Sequence, residues 1–445
     1  MASAAFFGTL AVIVVRFLRA VPRGTYHHRM VSTTAGLVYA FCLYLPATYQ
    51  AAGQLPSKLA AAGVLGPPTG ADVTGLCLRW SLELWVVLTA EHAATVVVST
   101  AQALPVTPAR PRRRPWLAPY APATVAVLVF VGLLATLAFP PADLADRADG
   151  GQGAQTILRS FLVCGLALGV HVGGVARIRT LAVTLGGAAY LVAQSVRSPL
   201  VLVFFALLVQ RMNARGARRV SPAEVARLGV LAVAVALAAA FMSVARANET
   251  RGLGLSTGEI VAQVEADPVL AVLEAGIDTL DGYRLARAVA PEEPAHPGDL
   301  VNVVTTFVPR ALWPDKPTTL PVDVSARYLG YRASGQFLSP VGYLRLMTGS
   351  YPGGLAGLAV LAFLAALAVI RVHGSFWEVL VTYGTFRFLL GGSSFDIYYV
   401  LALAVPVLLS RALVGLAAQA GLLPPEAVTA PPPARPGLPA RSSGP

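Results

Sequence analysis

Apolar runs of about 11 to 25 residues follow one another along the chain, most of them close to the roughly 20 residues a helix needs to cross a bilayer. They occupy residues 4–18, 31–49, 76–100, 119–139, 155–175, 181–194, 200–210, 230–244, 353–370, 376–390 and 395–416. Inside lipid no water pairs with the backbone, so runs of this length and character are helical. The pattern predicts an all-α, polytopic integral membrane protein of about eleven transmembrane helices. The sixth and seventh runs are short, joined by residues 195–199, and read as a helical hairpin. A single long polar interruption, residues 245–351, comes late in the chain. Residues 1–423 are expected to form one membrane domain, and the Pro-rich residues 424–445 a disordered tail.

The links between runs sort by charge. Residues 16–29, 110–114, 177–179, 211–227 and 371–373 are basic, and all five fall on one side of the predicted membrane. Basic links face the cytoplasm. The N-terminus is therefore expected outside, the C-terminus in the cytoplasm, and the 245–351 loop outside. Within that loop, residues 299–308 place Leu300, Val301, Val304, Phe307 and Val308 at helical spacing. They predict a short amphipathic surface helix capped by Asp299 and ended by Pro309.

Composition supports the membrane assignment. The 445 residues are 56% hydrophobic and 13% charged, against about 25% charged in soluble domains. The net charge of +12 sits mostly in the short links, where topology places it, and so gives no nucleic-acid signal. Cys42, Cys77 and Cys164 each lie in an apolar run, with no paired spacing, and read as packing residues. No phosphate-binding loop, nucleophile elbow, zinc-helix or dinucleotide motif occurs. No metal site and no cofactor is expected.

The segment 307–317, FVPRALWPDKP, concentrates the candidate chemistry. Pro309, Pro314 and Pro317 fix φ near about −65° and stiffen the loop. Arg310 offers a planar fork and Lys316 a point charge to phosphate oxygens. Trp313 and Asp315 stand between them. The competing reading is a surface turn whose cations meet lipid headgroups, with Trp313 as an interfacial anchor. Arg197, in the hairpin link, is a charge near or below the membrane surface, retained for function or snorkelling from a helix end. Arg79 and Glu83 are four residues apart on one run and predict an intramembrane ion pair. Glu91 and His92 on the same run suggest a proton path as a second possibility.

The run VVTTFVPRALWPDKP resembles the extracytoplasmic loop of the O-antigen and capsule repeat-unit polymerases, the Wzy-type family. Downstream, SPVGYLRLMTGSYPGGLAG is similar to that family's Gly-rich approach to the next span, through Ser339, Gly342, Tyr343, Gly349, Gly353 and Gly354. Upstream, QSVRSPLVLVFFALL resembles its short outer link, with Arg197 at the position of its arginine. Tyr351-Pro352, and Ser198 after Arg197, depart from the family pattern. The O-antigen ligases share the architecture, but their His-containing loop motif is not found around His296.

The resemblance implies a polymerase-ligase architecture related to GT-C enzymes, and inverting, metal-independent glycosyl transfer on the outer face of the cytoplasmic membrane. Polyprenyl-diphosphate-linked oligosaccharide would be the substrate, with a flippase and a chain-length regulator as partners beside the bilayer itself. Arg197, Arg310 and Lys316 would carry catalysis. Trp313, Asp315, Tyr328 and Tyr343 would contact substrate. His296, Asp315 and Asp323 are the candidates for a general base. A ligase or single-sugar transferase is the enzyme alternative, and a lipid-glycan transporter the non-enzyme one.

Overall fold

The computed structural model describes residues 2–103, 121–138, 153–173, 197–215, 256–305, 317–330 and 337–422, with single positions at 230, 233, 237, 238, 241, 308, 313 and 315. The described elements are all helical. They are α1 (Ala2–Ala20), α2 (Met30–Val38), α3 (Leu45–Ala51), α4 (Lys58–Ala61), α5 (Gly70–Ala103), α6 (Ala121–Ala138), α7 (Gly153–Gly173) and α8 (Arg197–Arg215). There follow α9 (Thr257–Ala266), α10 (Pro268–Val289), α11 (Asn302–Thr305), α12 (Leu320–Leu329), α13 (Pro340–Thr348), α14 (Tyr351–Val372), α15 (Phe376–Gly391) and α16 (Ser394–Gln419). A π turn, Tyr39–Tyr44, joins α2 to α3 into one long helix.

Among the described residues, five stretches are long and apolar enough to cross a membrane: Ala2–Arg23, Tyr26–Ala51, Gly70–Thr100, Tyr351–Val372 and Asp396–Gln419. Shorter apolar stretches lie in α6, α7 and α8. The expected run at 181–194 lies outside the described residues, as does most of 230–244. Large apolar side chains such as Phe7, Leu18, Phe130, Leu137, Leu364 and Leu416 stay exposed on the helices. Water would not tolerate such a surface over a whole protein, whereas lipid does.

Among the described residues, two large clusters of buried side chains hold the helices together, beside two small ones. One joins α1, α2, α5, α10, α13 and α14 around Phe6, Tyr39, Trp80 and Leu84. The other joins α6, α7, α8, α15 and α16 around Leu128, Cys164, Leu202 and Tyr383. Cys42, Cys77 and Cys164 are free thiols.

The helix starts follow from their sequences. Ser350 caps α14 by accepting from the Gly353 amide at 3.1 Å, with Pro352 in the first turn, where its missing N–H costs nothing. Ser256 and Glu259 form a reciprocal capping box on α9. Asp267 caps α10, with Pro268 next. The expected surface helix at 299–308 opens differently from its spacing: a 3-10 turn, Pro297–Val301, leads into α11. Asp299 does not cap it. Its buried carboxylate accepts from Asn302 Nδ2 at 2.9 Å, the Leu320 amide at 2.7 Å and Tyr343 Oη at 2.6 Å. Asp299 thus ties three parts of the loop together, and that demand overrides the capping role.

Candidate functional site: an arginine cleft at one end of the bundle

Three helices bring pairs spaced i, i+4 to one place. Helix α5 supplies Arg79 and Glu83, α10 supplies Tyr283 and Arg287, and α13 supplies Val341 and Arg345. Arg79, Tyr283, Arg287, Val341, Gly342, Arg345 and Tyr351 line a narrow open cleft of about 10 Å³, room for about one water. Residues four apart share a helix face, so each helix places one group deep and one at the rim.

Glycines set how closely these helices meet. At Gly342 a methyl group would stand 2.8 Å from Ala286 Cβ, so α13 and α10 touch there without side chains between them. At Gly354 it would meet the Arg345 amide nitrogen at 3.1 Å and the Val341 carbonyl oxygen at 3.2 Å. The glycines of SYPGGLAG therefore hold α13 tightly along α14. Ser339 starts α13 with φ of +61° and ψ of +160°, a conformation that favours glycine. Its hydroxyl caps the Gly342 amide at 3.3 Å, and its carbonyl packs against Gly392, where a side chain has no room.

Behind two of the lining tyrosines, Tyr283 and Tyr351, lies a buried carboxylate held by three tyrosines. Glu83 is fully buried. Tyr39 Oη donates to its Oε2 at 2.8 Å, while Tyr283 and Tyr351 donate to Oε1 at 2.7 and 3.2 Å. Three donors on two oxygens suit a carboxylate, which has only acceptors to offer. The ion pair expected between Arg79 and Glu83 is not formed. Arg79 lies over the Tyr351 ring instead, 5.3 Å from its centroid. The tyrosines have filled the carboxylate's acceptor positions, leaving the guanidinium to the ring face.

The rim is cationic and open in charge. Among the described residues, no carboxylate approaches Arg79, Arg287 or Arg345 within the 4.0 Å of an ion pair. Arg345 Nε is buried and has no hydrogen-bond partner. Burial holds the Arg345 guanidinium below its ordinary value, and the neighbouring Arg79 and Arg287 charges push the same way. It stays cationic at neutral pH all the same. Three guanidinium groups at the mouth of a cleft, without a carboxylate partner among the described residues, make a site for a multivalent anion, with forks matched to phosphate oxygens.

The polar loop frames this cleft. Asp281 on α10 accepts from Gln50 Nε2 at 3.2 Å, Ser57 Oγ at 3.3 Å and the Lys58 amide at 2.7 Å. Lys58 also pairs with Asp278. Glu293, past the end of α10, accepts from Arg327, from Tyr328 Oη at 2.7 Å and from His296 Nε2 at 3.3 Å.

The sequence-predicted site residues divide as follows. Arg310 and Lys316 lie outside the described residues, and Arg197 begins α8 with its side chain outside them. Trp313 and Asp315 are exposed. Tyr328 is half-buried and committed to Glu293. Tyr343 is fully buried and committed to Asp299, so it supports the loop from beneath and presents no surface to a ligand. Of the base candidates, His296 is engaged by Glu293 and Asp323 by Thr318. Glu91 is buried, accepting from the Ser32 hydroxyl at 2.6 Å and amide at 3.0 Å, while His92 is exposed. They do not form a path. Sequence reasoning missed Tyr283, Arg287, Arg345 and Tyr351. The i, i+4 spacing of Tyr283 with Arg287 was the available signal, and the Tyr351-Pro352 departure marked a second one.

A separate pocket of about 450 Å³ lies at the other end of α5 and α14, lined by His27, His28, Val98, Ser99, Ile370 and His373. Twenty residues of α5 separate Arg79 from Ser99, about 30 Å along the helix, which equals the hydrocarbon thickness of a bilayer. No protein-family model, curated protein or solved structure matches the chain.

Proposed function

We propose that this protein is a membrane glycosyltransferase that joins polyprenyl-diphosphate-linked repeat units into a surface polysaccharide. The observation that carries the proposal is the cleft of three arginines, without a carboxylate partner among the described residues, at the end of the bundle where the polar loop folds. In such a transfer a hydroxyl of one unit attacks the anomeric carbon of another, and a diphosphate departs. Negative charge builds on that leaving group. Arg79, Arg287 and Arg345 are placed to receive it, and Arg197, Arg310 and Lys316 are proposed to complete the cationic surround. Losing one preorganised donor of this kind typically costs about 2.7–4 kcal/mol of barrier. Trp313 and Asp315, exposed on the loop, are proposed to contact sugar.

On the proposed topology, about eleven spans with the N-terminus outside, the cleft would face the outer side of the membrane, where lipid-linked units are joined. That placement rests on the charge of the links. The resemblance of residues 307–317 to the repeat-unit polymerases supports the same activity.

The test is the size profile of lipid-linked and surface glycan with and without the protein. Collapse of a ladder to single repeat units is expected. An intact ladder retained on its lipid would replace the proposal with a ligase, and a missing sugar in each unit with a single-sugar transferase. No change at all would favour a transporter. Arg310→Ala should fold normally and stop chain extension; normal-length polymer from that variant would remove Arg310 from the site.

A further inference from the structure

A glycosyl transfer needs a group to take the proton of the attacking hydroxyl, and the cleft contains one arrangement able to do so. We propose that Tyr351 accepts this proton and passes its own phenolic proton to Glu83. The inference rests on the function proposed above and names the base that function requires.

The geometry is directional. Tyr351 lines the cleft and is half-buried, and its hydroxyl donates to the carboxylate behind it. Its 3.2 Å bond to Glu83 Oε1 is the longest of the three tyrosine contacts. Tyr283 also lines the cleft but is buried and held at 2.7 Å, and Tyr39 reaches Glu83 from the far side on Oε2. The charged and titratable groups facing this unit are therefore Arg79 above the Tyr351 ring, Arg345 and Arg287 at the rim, and Tyr39 and Tyr283 on the carboxylate. Arg79 stabilises negative charge on the Tyr351 oxygen while the proton is in transit.

The step balances. The acceptor O–H bond breaks and its proton goes to the Tyr351 oxygen as the Tyr351 proton moves to Glu83, which becomes a neutral carboxyl. The acceptor oxygen forms its bond to the anomeric carbon. The bond from that carbon to the diphosphate breaks, and the electron pair leaves with the diphosphate into the arginine rim. Glu83 regains its charge by returning a proton through the same tyrosine to water once product has left.

A purely structural Glu83 would join α5, α10, α14 and the π turn through its tyrosines without titrating in turnover. The experiment separates the two roles. Full-length protein in nanodiscs is given a lipid-diphosphate repeat unit, and extension is followed as kcat and KM across pH. Proton transfer by a positioned group contributes about 10²–10⁴-fold, so Glu83→Gln and Tyr351→Phe should each lose at least about 100-fold in kcat. KM should stay near its original value, and the acid limb of the pH profile should vanish. Tyr351→Phe keeps the ring under Arg79, and it decides the matter if Glu83→Gln fails to fold. Folded variants that retain the rate and pH profile of the unaltered protein would overturn the relay alone. Absence of any extension by the unaltered protein would overturn the proposed function and the relay with it.

Discussion

Adding one methyl group at Gly354 or at Gly357 should have opposite effects on this protein. Both glycines lie in α14 and face α13. At Gly354 the new carbon would sit 3.1, 3.2 and 3.3 Å from the Arg345 nitrogen, the Val341 oxygen and the Arg345 Cα. All three are backbone atoms, and ordinary carbon contacts lie near about 3.5–4.0 Å. Helix α13 must therefore retreat by a few tenths of an ångström. Overpacking of this kind typically costs about 1–3 kcal/mol, against a gain of about 1 kcal/mol for Ala over Gly in a helix. The net for Gly354→Ala is a loss of up to about 2 kcal/mol. At Gly357 the nearest atoms are Leu344 Cδ2 at 3.2 Å and Cδ1 at 3.4 Å, the free ends of a side chain that turns aside. Gly357→Ala should be neutral or stabilise by up to about 1 kcal/mol. Thermal unfolding in one detergent compares the pair directly. Binding of inorganic pyrophosphate reports on the rim, because the retreat of α13 carries Arg345 with it and should weaken binding only in Gly354→Ala. A Gly354→Ala protein as stable as Gly357→Ala, with unchanged pyrophosphate affinity, would refute the claim that glycine packing positions Arg345.

Two further outcomes follow from the loop. Asp281→Ala removes the acceptor for the Lys58 amide and for Gln50 and Ser57, at about 1–3 kcal/mol for donors left buried; limited proteolysis should then cut between residues 50 and 58, and resistance equal to the unaltered chain would disprove the clamp. Burial raises the Glu293 carboxyl, but donation from Tyr328, Arg327 and His296 outweighs it and holds the group below its ordinary 4.5. A lowered acid contributes stability above its unfolded value and loses it as pH falls through the folded one. The loop around Arg327 should therefore loosen below about pH 4.5 and stay closed above it, as hydrogen exchange would show; Glu293→Gln should remove this pH dependence.

The helical class and the existence of apolar spans were legible because they rest on runs of side chains, which a sequence displays directly. The exposed apolar faces of α1, α6 and α14 are where lipid exposure predicts them. The cleft was not legible, because its members come from residues 79, 283–287 and 341–351 and meet only after four helices pack. The i, i+4 pair Arg79 and Glu83 suggested an ion pair, whereas the fold gives Arg79 the Tyr351 ring and Glu83 three tyrosines. Local spacing could not show that Tyr39, Tyr283 and Tyr351 would arrive from other elements and claim the carboxylate. Tyr343 shows a related limit: a tyrosine in a polar loop suggests a ligand contact, and its burial against Asp299 appears only in the fold.

The unusual backbone at Ser339 makes the start of α13 a lever. Its carbonyl rests against Gly392, the Leu338 amide donates to the Gly391 carbonyl at 2.9 Å, and Thr279 donates to that of Leu390 at 3.0 Å. Those residues end α15 and turn into α16, and the buried pair Arg387–Asp396, 2.7 Å apart, braces the same turn from both helices. A conformation that stores about 1–3 kcal/mol persists only while its surroundings hold it. Any shift of the α15–α16 turn therefore has to be felt at Ser339, and through the rigid length of α13 it reaches the guanidinium of Arg345. The second helical cluster of the protein is geared to the cleft through that turn, although it contributes no side chain to the cleft itself.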